Sequence, residues 1–186
     1  TARNLSSRLP ERQEGEALFG AAPKALAAGV LKTDDLERAL MAGKILCYAQ
    51  GFGMIAAASD SFGWALPLPE IAKVWREGCI IRSAMLDDMA AALAEDAGRN
   101  LMFAPYFADR LKSNHDALRT TMAQSALSGL AAPALASGLA YFDTMRTGRG
   151  TANMIQGQRD FFGAHGFERM DDDKKGHHGP WGGHYV

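Results

Sequence analysis

The hydrophobic positions of this chain fall into long runs with helical spacing. From Thr33, apolar residues recur as Leu36, Leu40, Ile45, Leu46, Tyr48, Ala49, Phe52, Ile55 and Ala56, a spread so wide around the circumference that it predicts a helix buried on all sides. Thr33 or Asp34 is placed to cap its start, and Asp35 and Glu37 suit its positive end. The chain breaks at Phe62-Gly63-Trp64 and Pro67-Leu68-Pro69. A second long helix is predicted over 70–97 on Ile71, Val74, Trp75, Ile80, Ile81, Met85, Met89 and Leu93, with Gly78 as a close-packing point. Pro105 opens a shorter one, and Ser113-Asn114-His115-Asp116 resembles a capping box for another that runs to Gly129. Pro133 starts a helix that stops at Gly148, and the last begins near Thr151 and ends at Gly163. Residues 1–23 show no long period. With no sustained alternating run and valine at only three positions, the predicted fold class is all-α.

Composition narrows the function classes. At 186 residues and 47% apolar, the chain is expected to form one domain with a substantial core. A net charge of -1 without a long Lys/Arg run argues against nucleic acid and anionic membranes as partners. No apolar run reads as a membrane span, and no basic start followed by an apolar stretch reads as a leader. Cys47 and Cys79 fall in apolar helical patterns, so both are expected as buried free thiols in a reducing cytoplasm. A first residue of Thr1 suggests a processed product or a fragment.

Most local motifs have a plain explanation. Gly51-Phe-Gly53-Met-Ile-Ala56 fits a loose dinucleotide fingerprint, but it lies in a helical stretch, where glycines are expected to let helices approach closely. Asp87-Asp88 and Asp171 to Asp173 are read as solvated acids, and His177, His178 and His184 lack zinc-site spacing. No metal ligand set or nucleophile is assigned. Arg82, beside Ile80 and Ile81 in a predicted buried helix, must be paired. The stretch Gln156-Gly157-Gln158-Arg159-Asp160-Phe161-Phe162-Gly163-Ala164-His165 is different. Arg159 lies in the last helical turns and His165 just past the glycine stop, and a guanidinium fork with an imidazole is suited to a phosphate or carboxylate. Beyond it, residues 166–186 form a charged, Gly-rich tail whose Trp181 and Tyr185 are expected to pack on something else.

Together with that stretch, Tyr48-Ala49-Gln50-Gly51-Phe52, Phe62-Gly63-Trp64 and Trp75-Arg76-Glu77-Gly78-Cys79-Ile80-Ile81-Arg82-Ser83 resemble the C-terminal helical domain of the 6-phosphogluconate dehydrogenases, the decarboxylating enzymes of the pentose phosphate pathway. The likeness runs from about residue 1 to 165, while 10–33 and 166–186 depart from it. It implies a helical dimerisation and substrate-completion domain over 1–165, and a tail over 166–186 that packs on the partner subunit of a homodimer. It also implies an N-terminal Rossmann domain that binds NADP and lies outside this chain, along with the catalytic Lys and Glu. By motif, Arg3 in Ala2-Arg3-Asn4-Leu5-Ser6-Ser7 corresponds to the arginine on the phosphate of 6-phosphogluconate, and Arg159 and His165 to the pair that reaches the substrate of the neighbouring subunit. No catalytic and no cofactor-binding residue is then expected here. Two alternatives are a non-enzymatic helical oligomerisation or interaction module, and a related β-hydroxyacid dehydrogenase.

Overall fold

A computed structural model of the chain describes residues 2–172 and 174–181. Among the described residues are eight α-helices and a 3-10 turn at Leu101–Phe103, and the one β pairing is an isolated bridge between Phe167 and His177, so the fold is all-α. The chain divides into two compact units, 1–142 and 143–186. The boundary expected at residue 165 falls inside the second.

In the first unit, α1 (Ala2–Ser6) and α2 (Leu9–Phe19) precede the long α3 (Thr33–Phe62). No residue of α2 is buried, which is why no apolar period marks it in the sequence. α3 spans about 45 Å and ends at Gly63, which takes the left-handed conformation at φ 64° while the Trp64 N–H bonds the Ser59 carbonyl at 2.9 Å. Its inward face carries Ala39, Ala42, Ile45, Leu46, Ala49 and Phe52, which pack with Leu86 and Met89 of α5 (Met85–Glu95), Phe107, Leu111 and Leu118 of α6 (Pro105–Leu127), and Phe142 of α7 (Pro133–Met145). Gly43 meets Leu135 where a Cβ would stand, and a Cβ on Gly138 of α7 would stand 3.7 Å from Leu46 Cβ, so a glycine on each helix lies at the approach of α3 and α7.

Several expectations are corrected. α3 is not buried on all sides: Leu36, Leu40 and Met54 are exposed, as is Cys47, whose thiol pKa is pushed up by its partly apolar surroundings. By length and composition α3 does qualify as a membrane span, although its apolar face here forms the core. Gly51, Gly53 and Gly78 have nothing within 4 Å of a built Cβ, so none is a close-packing point.

The single helix expected over 70–97 is two, α4 (Leu68–Gly78) and α5. Cys79 is extended, and the intervening loop is tied to α3 by Tyr48, which donates to the Ile81 carbonyl, and by Lys44 Nζ on Ser83 Oγ at 3.1 Å. Ile80 is wholly exposed, and Arg82 is exposed too, with no requirement for a buried partner. Asp87 and Asp88 instead open α5, with Asp87 on Arg76 Nε at 3.0 Å. Ser113 caps nothing: α6 is continuous, and Ser113 Oγ and Asn114 Nδ2 bond the carbonyls of Asp109 and Arg110 one turn back. α7 stops at Met145, before Gly148.

Candidate functional site

The second unit is built on α8 (Ala152–Gly163). The helix ends as the sequence predicts, at Gly163, followed by Ala164 in the left-handed conformation at φ 52° with its N–H on the Asp160 carbonyl at 2.9 Å. His165 folds back over this end. A Cβ on Gly163 would stand 3.0 Å from His165 Nε2, so the glycine makes room for the imidazole as well as ending the helix.

Arg159 and His165 are both exposed. His165 lines a groove of about 800 Å³ with Arg149, Asn153, Gln156, Arg169 and Lys175, whereas Arg159 does not line it. Within the groove Arg169 is engaged by Asp171, at 2.8 Å from Nε and 2.5 Å from Nη2, and this pairing pulls the Asp171 carboxyl down to about 2. Lys175 stands 3.6 Å from Glu168, while Arg149 pairs with no carboxylate among the described residues. An anion entering here meets Arg149 and His165 as open donors, with neutral amides of Asn153 and Gln156 beside them. Arg3 lies in the first unit, exposed on α1.

The residue that sequence reasoning missed is Asp160. It is fully buried, and its carboxylate accepts four hydrogen bonds: Gly166 N–H at 2.9 Å and His178 Nδ1 at 2.6 Å on Oδ1, Gly179 N–H at 2.8 Å and Trp181 Nε1 at 2.6 Å on Oδ2. Burial alone would raise its pKa, but the donors of Gly179, His178, Trp181 and Gly166 outweigh it and hold the carboxyl far below the ordinary range. His178 Nδ1 is therefore the donor in its pair. Trp181 also meets the edge of Phe161, with ring centroids 5.7 Å apart. The tail is thus docked on α8 of its own chain as far as Trp181, while Asp173, His184 and Tyr185 lie outside the described residues. The signal in the sequence was an acid inside a stretch rich in chemistry, followed by an isolated tail tryptophan.

Among the described residues no group of three or more His, Cys, Asp or Glu side chains is placed to hold a metal. Gly51 and Gly53 lie within α3, where a nucleotide-binding turn between strand and helix does not occur.

The family model for the 6-phosphogluconate dehydrogenase C-terminal domain matches residues 1–181, including the segments 10–33 and 166–181 that were expected to depart. A Bacillus subtilis NAD(+)-dependent, decarboxylating 6-phosphogluconate dehydrogenase is 41% identical over 176 residues, covering 92% of this chain and 37% of that protein. The decarboxylating enzyme of Escherichia coli is 43% identical over 141 residues, covering 75% and 30%. A Plasmodium falciparum 6-phosphogluconate dehydrogenase structure, described in apo form and in complexes with NADP+ and with 6-phosphogluconate, superimposes with a TM-score of 0.81 at 31% identity. It covers 97% of this chain and 39% of that one. The chain thus spans between about three tenths and two fifths of the length of these relatives.

Proposed function

Because the chain belongs to the 6-phosphogluconate dehydrogenase C-terminal domain family, we propose that it is the helical domain of a cytoplasmic enzyme of the pentose phosphate pathway. That enzyme converts 6-phosphogluconate to ribulose 5-phosphate by oxidation and decarboxylation. In this reading NADP, held by a Rossmann domain, accepts the hydride. The 2′-phosphate that separates NADP from NAD is read by that domain, so these helices do not set the choice. In this reading the helical domain does no chemistry by itself. Its work is to complete the substrate site and to hold two copies of the enzyme together.

The observation that carries the reading is the family match over 1–181, which takes in the strings around Arg3, Arg159 and His165. The chemistry agrees with it. A phosphate dianion is well served by guanidinium forks and an imidazole, and all three side chains are exposed and available to a ligand. Fixing the phosphate orients the reacting carbons at the other end of a flexible sugar acid, an entropic contribution and not a chemical step. The homodimer is supported by exposed apolar side chains in both units, Leu36, Leu40 and Ile80 in the first, Met154, Ile155 and Phe162 on α8. A second copy would cover them.

In the full-length enzyme, Arg159→Ala is expected to raise the KM for 6-phosphogluconate roughly 10- to 100-fold, the loss of a charge-assisted contact, with the cofactor KM unchanged. Steady-state kinetics with each substrate varied in turn checks this. An unchanged KM for 6-phosphogluconate would remove Arg159 from the site.

A further inference from the structure

One residue holds the backbone on both sides of His165, through its carbonyl before the histidine and its carboxylate after it. The Asp160 carbonyl accepts from the Ala164 N–H, and its Oδ1 accepts from the Gly166 N–H, each at 2.9 Å. The residues so held sit at positive φ, 52° for Ala164 and 74° for Gly166. For Ala164 in particular that conformation is intrinsically disfavoured and persists only where its surroundings impose it. His165 is therefore placed by a turn that depends on Asp160.

The same carboxylate gathers the tail, through His178, Gly179 and Trp181. The loop between is closed a second time by the paired hydrogen bonds of Phe167 and His177, at 2.9 and 3.0 Å. At that closure a Cβ on Gly166 would stand 3.0 Å from Gly176 Cα, so the two segments lie backbone to backbone. With two donors on each oxygen, the carboxylate cannot release the tail without also loosening the group that fixes Gly166.

We propose that Asp160 is a positioning residue for His165, and that docking of residues 178–181 on this carboxylate sets the geometry of the anion site. The inference rests on the reading of His165 as a phosphate ligand given above. Asp160 itself touches no substrate, since every lone-pair direction is taken up inside the chain. Its effect must show as substrate affinity through the phosphate, not as turnover.

The experiment uses the full-length enzyme and two substrates, 6-phosphogluconate and unphosphorylated gluconate, with His165→Ala, Asp160→Asn and Trp181→Phe. Asp160→Asn keeps the size of the side chain but turns an amide donor toward groups that are themselves donors. Trp181→Phe keeps an aromatic ring against Phe161 and removes a single donor. The expected result for Asp160→Asn is a rise in KM for 6-phosphogluconate of about tenfold or more, with kcat within about threefold and kcat/KM for gluconate unchanged. For Trp181→Phe a rise of about threefold is expected. Equal losses on both substrates would mark Asp160 as merely structural and overturn the proposal, as would an unchanged KM in both variants. Should Asp160→Asn fail to fold, Trp181→Phe decides by the same criterion. If His165→Ala leaves the preference for the phosphorylated substrate intact, the reading of His165 falls, and this inference with it. If only His165→Ala lowers that preference, the reading stands and the role of Asp160 is refuted.

Discussion

Between α3 and α6 the largest fully buried side chains are Ile45, Leu46, Phe52, Phe107 and Leu118, whereas among the described residues of the second unit the fully buried side chain is a carboxylate, Asp160. No apolar side chain beyond Phe142 is buried among the described residues. The first unit is thus held by area removed from water, a non-directional term spread over many groups. The second depends on a few directional bonds to one charge, which is costly to bury unless every lone pair is used. A core of the first kind loses stability gradually with each methylene removed. A hub of the second kind loses its order when one acceptor goes, and so it is suited to holding a ligand-binding turn in a single arrangement.

The largest effect that tests this contrast is in the core. Phe107→Ala, at a fully buried position on α6, is expected to destabilise the first unit by about 3–5 kcal/mol. Chemical denaturation of the chain should show this as a lower midpoint for the main transition, with the amide protection of Gly166 and Gly179 unchanged. If those amides lost protection in step, the two units would share one cooperative core and the contrast would be wrong.

The core was the more legible half. Helical period places the inward face of α3, and Pro105, Pro133, Thr151 and Gly163 mark ends of helices through local chemistry. The break between α4 and α5 was not legible. Ile80 and Ile81 continue the apolar period, yet the loop is fixed by Tyr48 and Lys44, 33 and 39 residues away in sequence from Ile81 and Ser83. Side-chain chemistry nominates Arg159 and His165, and it gives no sign that the groove His165 lines also holds Arg149, a residue brought near only by the fold. Asp160 was hidden for a related reason. Its donors lie 6 to 21 residues downstream in a segment without periodicity.

Glycines sharpen the comparison within α3 itself, at a smaller scale. Gly43→Ala drives a methyl into Leu135 and is expected to cost about 1–3 kcal/mol by overpacking. Gly53→Ala meets nothing within 4 Å, so removing a helix-interior glycine should stabilise by up to about 1 kcal/mol. Thermal unfolding of the two variants should shift in opposite directions. Shifts of the same sign would mean that the approach of α3 and α7 at Gly43 is not the tight contact described.

The smallest effect is one of pH, and it separates a charge hub from an apolar core. The donors of Gly179, His178, Trp181 and Gly166 hold the Asp160 carboxyl far below its ordinary range despite its burial. A group whose folded pKa is depressed contributes stability that is complete above its unfolded value of about 3.9, and that is lost as pH falls toward the folded value. The contribution of Asp160 to tail docking should therefore be constant between pH 7 and about 4 and weaken only below that. His178 donates through Nδ1 to Oδ1, and Trp181 to Oδ2, the other oxygen of the carboxylate. The Trp181 indole N–H resonance reports the bond directly. It should hold its chemical shift from pH 7 to about 4 and move only in more acid solution. A shift between pH 7 and 5 would mean that Trp181 answers to some other titrating group, and the single-carboxylate account of the second unit would give way to one in which the tail is held from several sides.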